Sequence, residues 1–179
     1  MRRFGVIKVK GERLKVKGIL FFLSIFIFQF SLSSCEGTTF KSSVPLYPVR
    51  VVIDTRAVFV DFTPENTNAY ITVNEEGYKE NGQFKLALSV SDAYGYGGVV
   101  AYVSMNGYTA YDLACPYCAA RGQRHPCQMN GIYAECPHCG ERYELSSGYA
   151  LPQKGISKEA LHRLNINHSD GRLTVTQQQ

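Results

Sequence analysis

The sequence has no apolar run long enough to cross a membrane as a helix, because the longest, Ile19 to Phe30, has only twelve residues where about 20 are needed. It also has no serine–histidine–aspartate set, no paired carboxylates and no glycine-rich cofactor fingerprint. The YGYGG run at 94–98 does not lie between a strand and a helix, so it predicts a flexible turn rather than a phosphate loop. These absences argue against a transmembrane anchor and against a complete enzyme; at most, we expect a carrier or donor subunit.

Beyond residue 34, the chain has no excess of positive charge. Residues 1–34 carry seven of the 19 Lys and Arg residues and one of the 15 acidic residues, so the formal net charge falls from +4 to −2 when they are removed. Arg121, Arg124 and His125 form a small basic group, which we interpret as solvated surface. We therefore expect no nucleic-acid partner.

The first 35 residues have the organisation of an export signal. A basic segment over 1–18 precedes the apolar run, and the sequence LSSC follows at 32–35. This tetrapeptide resembles the lipobox of bacterial lipoproteins, which implies a signal peptide over 1–34, lipidation of Cys35 and a polar tether over 35–46. The resemblance implies a lipid-anchored protein of the cell envelope, on a periplasmic face or the outer membrane. The alternative is an ordinary secretory signal with an incidental cysteine.

The remaining sequence predicts β-structure. Short runs of β-branched and aromatic residues alternate with four turn pairs: Asn81-Gly82, Asn106-Gly107, Asn130-Gly131 and Asp170-Gly171. The pattern predicts an all-β, antiparallel sandwich domain over 47–179. Among the predicted strands is RAVFVDF at 56–62, and only SKEALHRL at 157–164 has a helix-forming composition.

Four of the six cysteines form two Cys-Pro-x-Cys motifs. They are Cys115, Cys118, Cys136 and Cys139, in the spacing C-x2-C-x17-C-x2-C, which is typical of a four-cysteine metal site. The tetrapeptides CPYC and CPHC also occur in dithiol oxidoreductases, but those proteins need a helix after the first cysteine, and the residues here do not predict one. Two disulfides between the motifs are a further alternative.

The sequence around these motifs resembles a Rieske iron–sulfur domain. The similar stretches are GVVAYVSMNGYTAYDLACPYC, GIYAECPHCGERYELSSGYALPQKG and LHRLNINHSDGRLTV, spanning about residues 98 to 176. The resemblance implies an antiparallel Rieske-like sandwich with a small two-loop metal-binding subdomain at about 113–142. It further implies a [2Fe–2S] cluster and electron transfer with a redox partner that the sequence does not identify.

The ligand positions depart from the Rieske pattern. Cys115 and Cys136 occupy the two cysteine positions, whereas the two histidine positions fall on Tyr117 and Cys139. The hypothesis is therefore a [2Fe–2S] cluster on the four motif cysteines, with a potential lowered towards about −400 mV. The alternatives are a single Zn²⁺ or no metal. Other possible ligands are Cys127, His125 and His138, and Cys127 has no assigned role.

Overall fold

The computed structural model describes residues 42–178, which form β-strands and one helical turn. All strand pairings are antiparallel, so the prediction of an all-β antiparallel fold is confirmed. Within residues 42–178, no helix is long and apolar enough to span a bilayer. The elements are β1 (Val49–Asp54), β2 (Tyr70–Asn74), β3 (Gly77–Glu80), β4 (Gln83–Leu86), β5 (Ala93–Tyr94), β6 (Val99–Ser104), β7 (Gly107–Asp112), α1 (Pro116–Ala119), β8 (Gln128–Asn130), β9 (Tyr133–Glu135), β10 (Arg142–Glu144), β11 (Leu151–Lys154), β12 (Arg163–Ser169) and β13 (Arg172–Thr176).

A nine-stranded sheet, in the order β4-β3-β2-β6-β7-β12-β13-β1-β5, makes the body of the domain. Strand β12 joins its two halves, because its first two residues pair with β7 and its last five pair with β13. Buried side chains from both halves belong to one apolar cluster, including Val51 of β1, Ile71 of β2 and Val175 of β13. The two halves therefore face each other as the layers of a sandwich.

Strand β6 is buried on both faces, which its continuous apolar sequence predicts. Val99, Ala101 and Val103 point into the sandwich core, because alternate residues of a strand face the same side. Val100 and Tyr102 point the other way, into a second apolar cluster shared with the small sheet β11-β10-β9-β8. The metal-binding loops described below lie on that second side of β6.

The four predicted turn pairs all connect consecutive antiparallel strands, as expected. In the β3–β4 and β12–β13 hairpins, both residues of the pair have positive φ, which Asn, Asp and Gly tolerate best. These turns fix the register of each hairpin. The pairs are Asn81-Gly82 (β3–β4), Asn106-Gly107 (β6–β7), Asn130-Gly131 (β8–β9) and Asp170-Gly171 (β12–β13).

The strand predicted over 56–62 is wrong. The Asp54 carboxylate accepts hydrogen bonds from the backbone N–H groups of Arg56 and Ala57, at 2.9 and 3.1 Å, and bends the chain into turns. Phe59 and Phe62 reach the sandwich core from these turns. The apolar residues of this segment therefore belong to the core without forming a strand.

The helix predicted over 157–164 is also wrong, because tertiary hydrogen bonds hold this segment extended. The buried Glu141 carboxylate accepts the N–H groups of Ile156 and Ser157, at 2.6 and 3.1 Å. Within the same segment, the Glu159 carboxylate accepts hydrogen bonds from residues 42 and 43. Strand β12 then begins at Arg163, inside the predicted helix.

The first described residues are packed on the domain. The Oε1 atom of Glu159 accepts hydrogen bonds from Ser42 Oγ and Ser43 N, at 3.1 and 2.7 Å. Val44 is buried in a small apolar cluster with Ala114 and Ala119, beside the first metal-binding loop. The predicted signal peptide and Cys35 lie outside the described residues, and the predicted tether is described only from residue 42.

Candidate metal centre

The first metal-binding loop leaves the end of β7 and returns to β8. Its base is a short antiparallel ladder in which Cys115 N donates to His125 O and Cys127 N donates to Leu113 O, at 3.0 and 2.7 Å. Contrary to the sequence-based expectation of no helix after the first cysteine, helix α1 begins directly after Cys115, with Pro116 at its first position, but it is only one turn long. This turn places Cys118 on the same side of the loop as Cys115.

The second metal-binding loop is the tight connection between β9 and β10. Cys136 N donates to Glu141 O at 2.8 Å, and Gly140 N donates to Cys136 O at 2.9 Å. Gly140 has a φ of 76°, a conformation that glycine adopts without strain. The loop therefore folds back on itself and presents Cys136 and Cys139 to one point.

The structure brings together the four motif cysteines that the sequence predicts as ligands. Their four Sγ atoms all lie within 4.8 Å of one another. Two of the close contacts cross between the loops: 3.5 Å between Cys115 and Cys139, and 3.8 Å between Cys118 and Cys136. All four are free thiols; three are buried, and Cys139 is half-buried. The arrangement is a closed set of sulfur donors at the junction of two loops.

The charges in this cluster favour a bound cation. The pKa of the Cys115 thiol is lowered to about 4, first by the S–H group of Cys127 and also by the backbone N–H of Cys118. Burial instead raises the pKa of Cys118, and it raises the pKa of Cys139 to about 11. Without a cation, these surroundings therefore favour the thiolate of Cys115 and disfavour the thiolates of Cys118 and Cys139. A divalent metal supplies the charge that lets the other thiols ionise.

Two buried residues outside the four cysteines lie beside Cys115. The hydroxyl oxygen of Tyr143, in β10, lies 3.7 Å from the Cys115 sulfur, and Cys127 is buried in the same cluster of side chains, where its thiol lowers the pKa of Cys115. Cys127 is therefore a neighbour of the cluster and not a member of it. The sequence assigns no role to Tyr143, although the alternation of β10 places it on the buried face.

Tyr117, one of the two positions where the Rieske pattern has histidine, takes no part in the thiol cluster. Its ring lies under the guanidinium group of Arg121, 3.5 Å from the ring centroid, and Cys118 enters the cluster instead. Arg121 and Arg124 are exposed, as the sequence predicts for the small basic group. The Arg124 side chain covers Tyr96, 5.5 Å from the ring centroid.

The two histidines predicted as possible ligands stack on each other beside the cluster. The rings of His125 and His138 are 3.9 Å apart and nearly parallel, with an angle of 6° between them. The Nδ1 atom of His138 lies 3.8 Å from the sulfur of Cys118. His138 is exposed and His125 is half-buried, so the stack forms the solvent-facing edge of the two loops.

The buried carboxylate of Asp112 attaches the first metal-binding loop to the 94–98 turn. Its Oδ1 atom accepts the N–H groups of Gly97 and Ala114 and its Oδ2 atom accepts that of Tyr96, each at 2.8 Å. Gly97 has no room for a side chain, since a Cβ there would lie 2.1 Å from the Ala114 nitrogen. From the sequence, a turn is predicted at 94–98 and Asp112 is a candidate to cap its strand end or hydrogen-bond the first loop, but its contact with the turn is not predicted.

The buried carboxylate of Glu141 supports the second loop in a similar way. Through its contacts with Ile156 and Ser157, it joins the residue after Gly140 to the 155–157 segment. Gly155 lies directly against it, so that a Cβ on Gly155 would be 2.1 Å from the Glu141 Oε1 atom. Each metal-binding loop is thus held by one buried carboxylate.

No protein-family model matches the chain. No curated protein matches it either. Among solved structures, the chain is similar to one described as a complex of reduced oxygenase and oxidized ferredoxin in carbazole 1,9a-dioxygenase. The identity is 13%, the match covers 72% of this chain and 93% of that chain, and the TM-score is 0.41. A similarity of this size does not indicate a function.

Proposed function

We propose that the protein is a metal-binding module of the cell envelope, in which Cys115, Cys118, Cys136 and Cys139 together bind one Zn²⁺ ion. The observation that carries this proposal is the mutual distance of the four sulfurs, all within 4.8 Å. Zinc in structural sites takes four ligands in a tetrahedron, and an all-cysteine set is one of its common donor sets. The four free thiols fit this requirement in number, kind and placement.

The sulfur distances favour one ion over a two-iron cluster. With Zn–S bonds of about 2.3 Å, a tetrahedral site has sulfur–sulfur edges of about 3.8 Å. The contacts of 3.5 and 3.8 Å between the loops are close to that value, and the bound of 4.8 Å holds for every pair of the four sulfurs. In a [2Fe–2S] cluster, two thiolates bind each iron, so thiolates on different irons are separated further by the second iron. Such a cluster therefore requires some of the sulfur atoms to lie further apart than the 4.8 Å within which all four lie here.

A zinc ion in this site has a structural role. All four coordination positions are filled by the protein, so none is left for a substrate or an activated water. The ion supplies cross-linking: it ties the β7–β8 loop to the β9–β10 loop and neutralises their thiolates. We infer that the module serves binding or assembly rather than catalysis.

Metal analysis of the protein tests this proposal. The mature chain, purified without oxygen after removal of residues 1–34, is expected to contain about one zinc per chain and to be colourless. The matched control is Cys127→Ser, because Cys127 is buried beside the cluster but lies outside the four. It is expected to keep the zinc, whereas Cys136→Ser is expected to lose it. Iron with acid-labile sulfide in the purified protein would contradict the zinc proposal.

Electron transfer by a [2Fe–2S] cluster is the second candidate. It is supported by the order of sequence elements over 98–176, which resembles a Rieske domain, and by Cys115 and Cys136, which come one from each loop as the Rieske cysteines do. The partner is then a redox protein. A visible absorption spectrum with two irons and two sulfides per chain, and a potential towards about −400 mV, would favour this candidate.

The place in the cell envelope is proposed from the N-terminal sequence alone. The lipobox resemblance at 32–35 predicts that Cys35 carries the lipid and that the domain is anchored to a membrane. Metabolic labelling with a fatty acid is expected to mark the wild-type protein and not Cys35→Ser. If both proteins are released from the membrane fraction without a label, the secretory alternative is correct.

A further inference from the structure

We propose that His138 is a fifth metal donor, which takes the place of Cys118 when the metal enters or leaves the site. This inference rests on the proposed function, because it requires that the four thiolates bind a metal. His138 is not one of the four cysteine ligands, and the inference gives it a role in metal exchange.

The distance between His138 and the cluster carries the inference. Its Nδ1 atom is 3.8 Å from the Cys118 sulfur, which equals the distance from that sulfur to Cys136. The nitrogen therefore lies as close to Cys118 as a neighbouring ligand does. Imidazole nitrogen is a good donor for zinc, and sites with three cysteines and one histidine are common. Replacing Cys118 by His138 would give such a site once the imidazole turns inwards, because His138 is not among the donors that lie within 4.8 Å of one another.

The position of His138 also suits exchange. Cys118 is almost completely buried, with 1% of its surface exposed, whereas His138 is exposed and precedes the half-buried Cys139. The parallel ring of His125 lies 3.9 Å from that of His138 and limits its orientations. A metal ion arriving from solvent therefore meets His138 before it reaches Cys118.

The exchange is a simple ligand substitution. During release of a bound metal, Cys118 Sγ would give up its bond to the ion and His138 Nδ1 would form one in its place. The Cys118 thiolate keeps its electron pair and takes a proton from solvent. No group is oxidised or reduced, and the reverse sequence loads the site.

Cobalt binding to the full-length protein in detergent tests the proposal, because Co²⁺ reports its ligands by absorption. The wild-type protein is expected to show the spectrum of four thiolates. Cys118→Ser is expected to bind Co²⁺ with the spectrum of three thiolates and one imidazole, at an affinity lowered no more than about 100-fold. Adding His138→Ala to Cys118→Ser is expected to lower the affinity at least another tenfold.

The matched control uses Cys136, whose sulfur, unlike that of Cys118, has no hydrogen-bonding partner among the imidazoles of the described residues. Cys136→Ser is expected to bind Co²⁺ weakly, and adding His138→Ala is expected to change that affinity less than about threefold. His138→Ala alone is expected to keep the wild-type spectrum while slowing the transfer of Zn²⁺ to a chelator about fivefold. Circular dichroism of each variant checks that the β-fold is kept.

The outcomes separate this inference from the proposed function. If the wild-type protein binds neither Co²⁺ nor Zn²⁺, both proposals are overturned. If the wild-type protein binds one ion, but Cys118→Ser has the same spectrum and affinity with and without His138, only the exchange role is overturned. The four-thiolate site then stands without a fifth donor.

Discussion

Replacing Asp112 by asparagine should loosen the first metal-binding loop from the rest of the domain. The wild-type carboxylate accepts three backbone N–H groups, two at Oδ1 and one at Oδ2. Asparagine keeps the oxygen that binds Gly97 and Ala114, but its NH₂ group then faces the N–H of Tyr96. One hydrogen bond is lost and a donor is left without an acceptor. We therefore expect the free energy of unfolding to fall by about 1–3 kcal/mol.

Urea denaturation of the metal-loaded protein measures this loss. With a slope of about 1–3 kcal/mol per molar urea, a loss of about 2 kcal/mol lowers the midpoint by about 1 M. The matched control is Asp170→Asn, which makes the same chemical change at an exposed turn residue with a φ of 51°. Asparagine tolerates this conformation, so we expect the free energy of unfolding of Asp170→Asn to stay within about 0.5 kcal/mol of the wild-type value. Equal midpoints for the two variants would refute the role of Asp112.

The pH dependence of stability gives a second test of the same carboxyl. Burial raises the pKa of Asp112, against the opposing effect of the three N–H groups. The folded protein therefore binds this proton more tightly than the unfolded chain, whose aspartate pKa is about 3.9. The stability that comes from this tighter proton binding is fully present below the pKa of the unfolded chain. It is lost as the pH rises through the raised pKa of Asp112 in the folded protein. The free energy of unfolding of Asp112→Asn should therefore lack this decline with rising pH, whereas that of Asp170→Asn should keep it.

Three further results are expected. Oxidation of the metal-free protein should give disulfides between the loops, since sulfur contacts of 3.5 and 3.8 Å cross between them, and peptide mapping that found pairs within one motif would contradict this. Gly155→Ala should lower stability by about 3 kcal/mol in thermal unfolding, because its Cβ meets the Glu141 carboxylate at a φ of 113°, whereas Gly131→Ala, in open space, should cost about 1 kcal/mol. Tyr143→Phe should weaken zinc binding measurably, by up to about tenfold, in a chelator competition, and an unchanged affinity would show that the contact with Cys115 contributes nothing.

The sequence predicts most strands and all four hairpin turns because these depend on local chemistry. β-branched and aromatic runs pack well on a pleated surface, and Asn-Gly or Asp-Gly pairs suit tight turns. The two wrong predictions come from tertiary contacts. The segment at 56–62 has a strand-like composition, but the Asp54 carboxylate caps a turn at its start. The segment at 157–164 has a helix-like composition, but Glu141 binds its first N–H group from another part of the chain.

The candidate site likewise has features that the sequence predicts and features that depend on tertiary contacts. The spacing of the four cysteines suffices to predict that they meet, because each Cys-Pro-x-Cys turn directs two sulfurs to one side. The contacts of Asp112 with the 94–98 turn could not be predicted, since they join segments that only the folded sheet brings together. The Rieske pattern points to Tyr117 as a ligand position, yet the single turn of α1 brings Cys118 forward and leaves Tyr117 against Arg121.

X-ray absorption spectroscopy of the metal in the purified protein tests the central claim most directly. The account predicts one zinc per chain with four sulfur neighbours at about 2.3 Å and no second metal nearby. An iron edge with a second iron scatterer would contradict it and would establish a two-iron cluster on the same four cysteines.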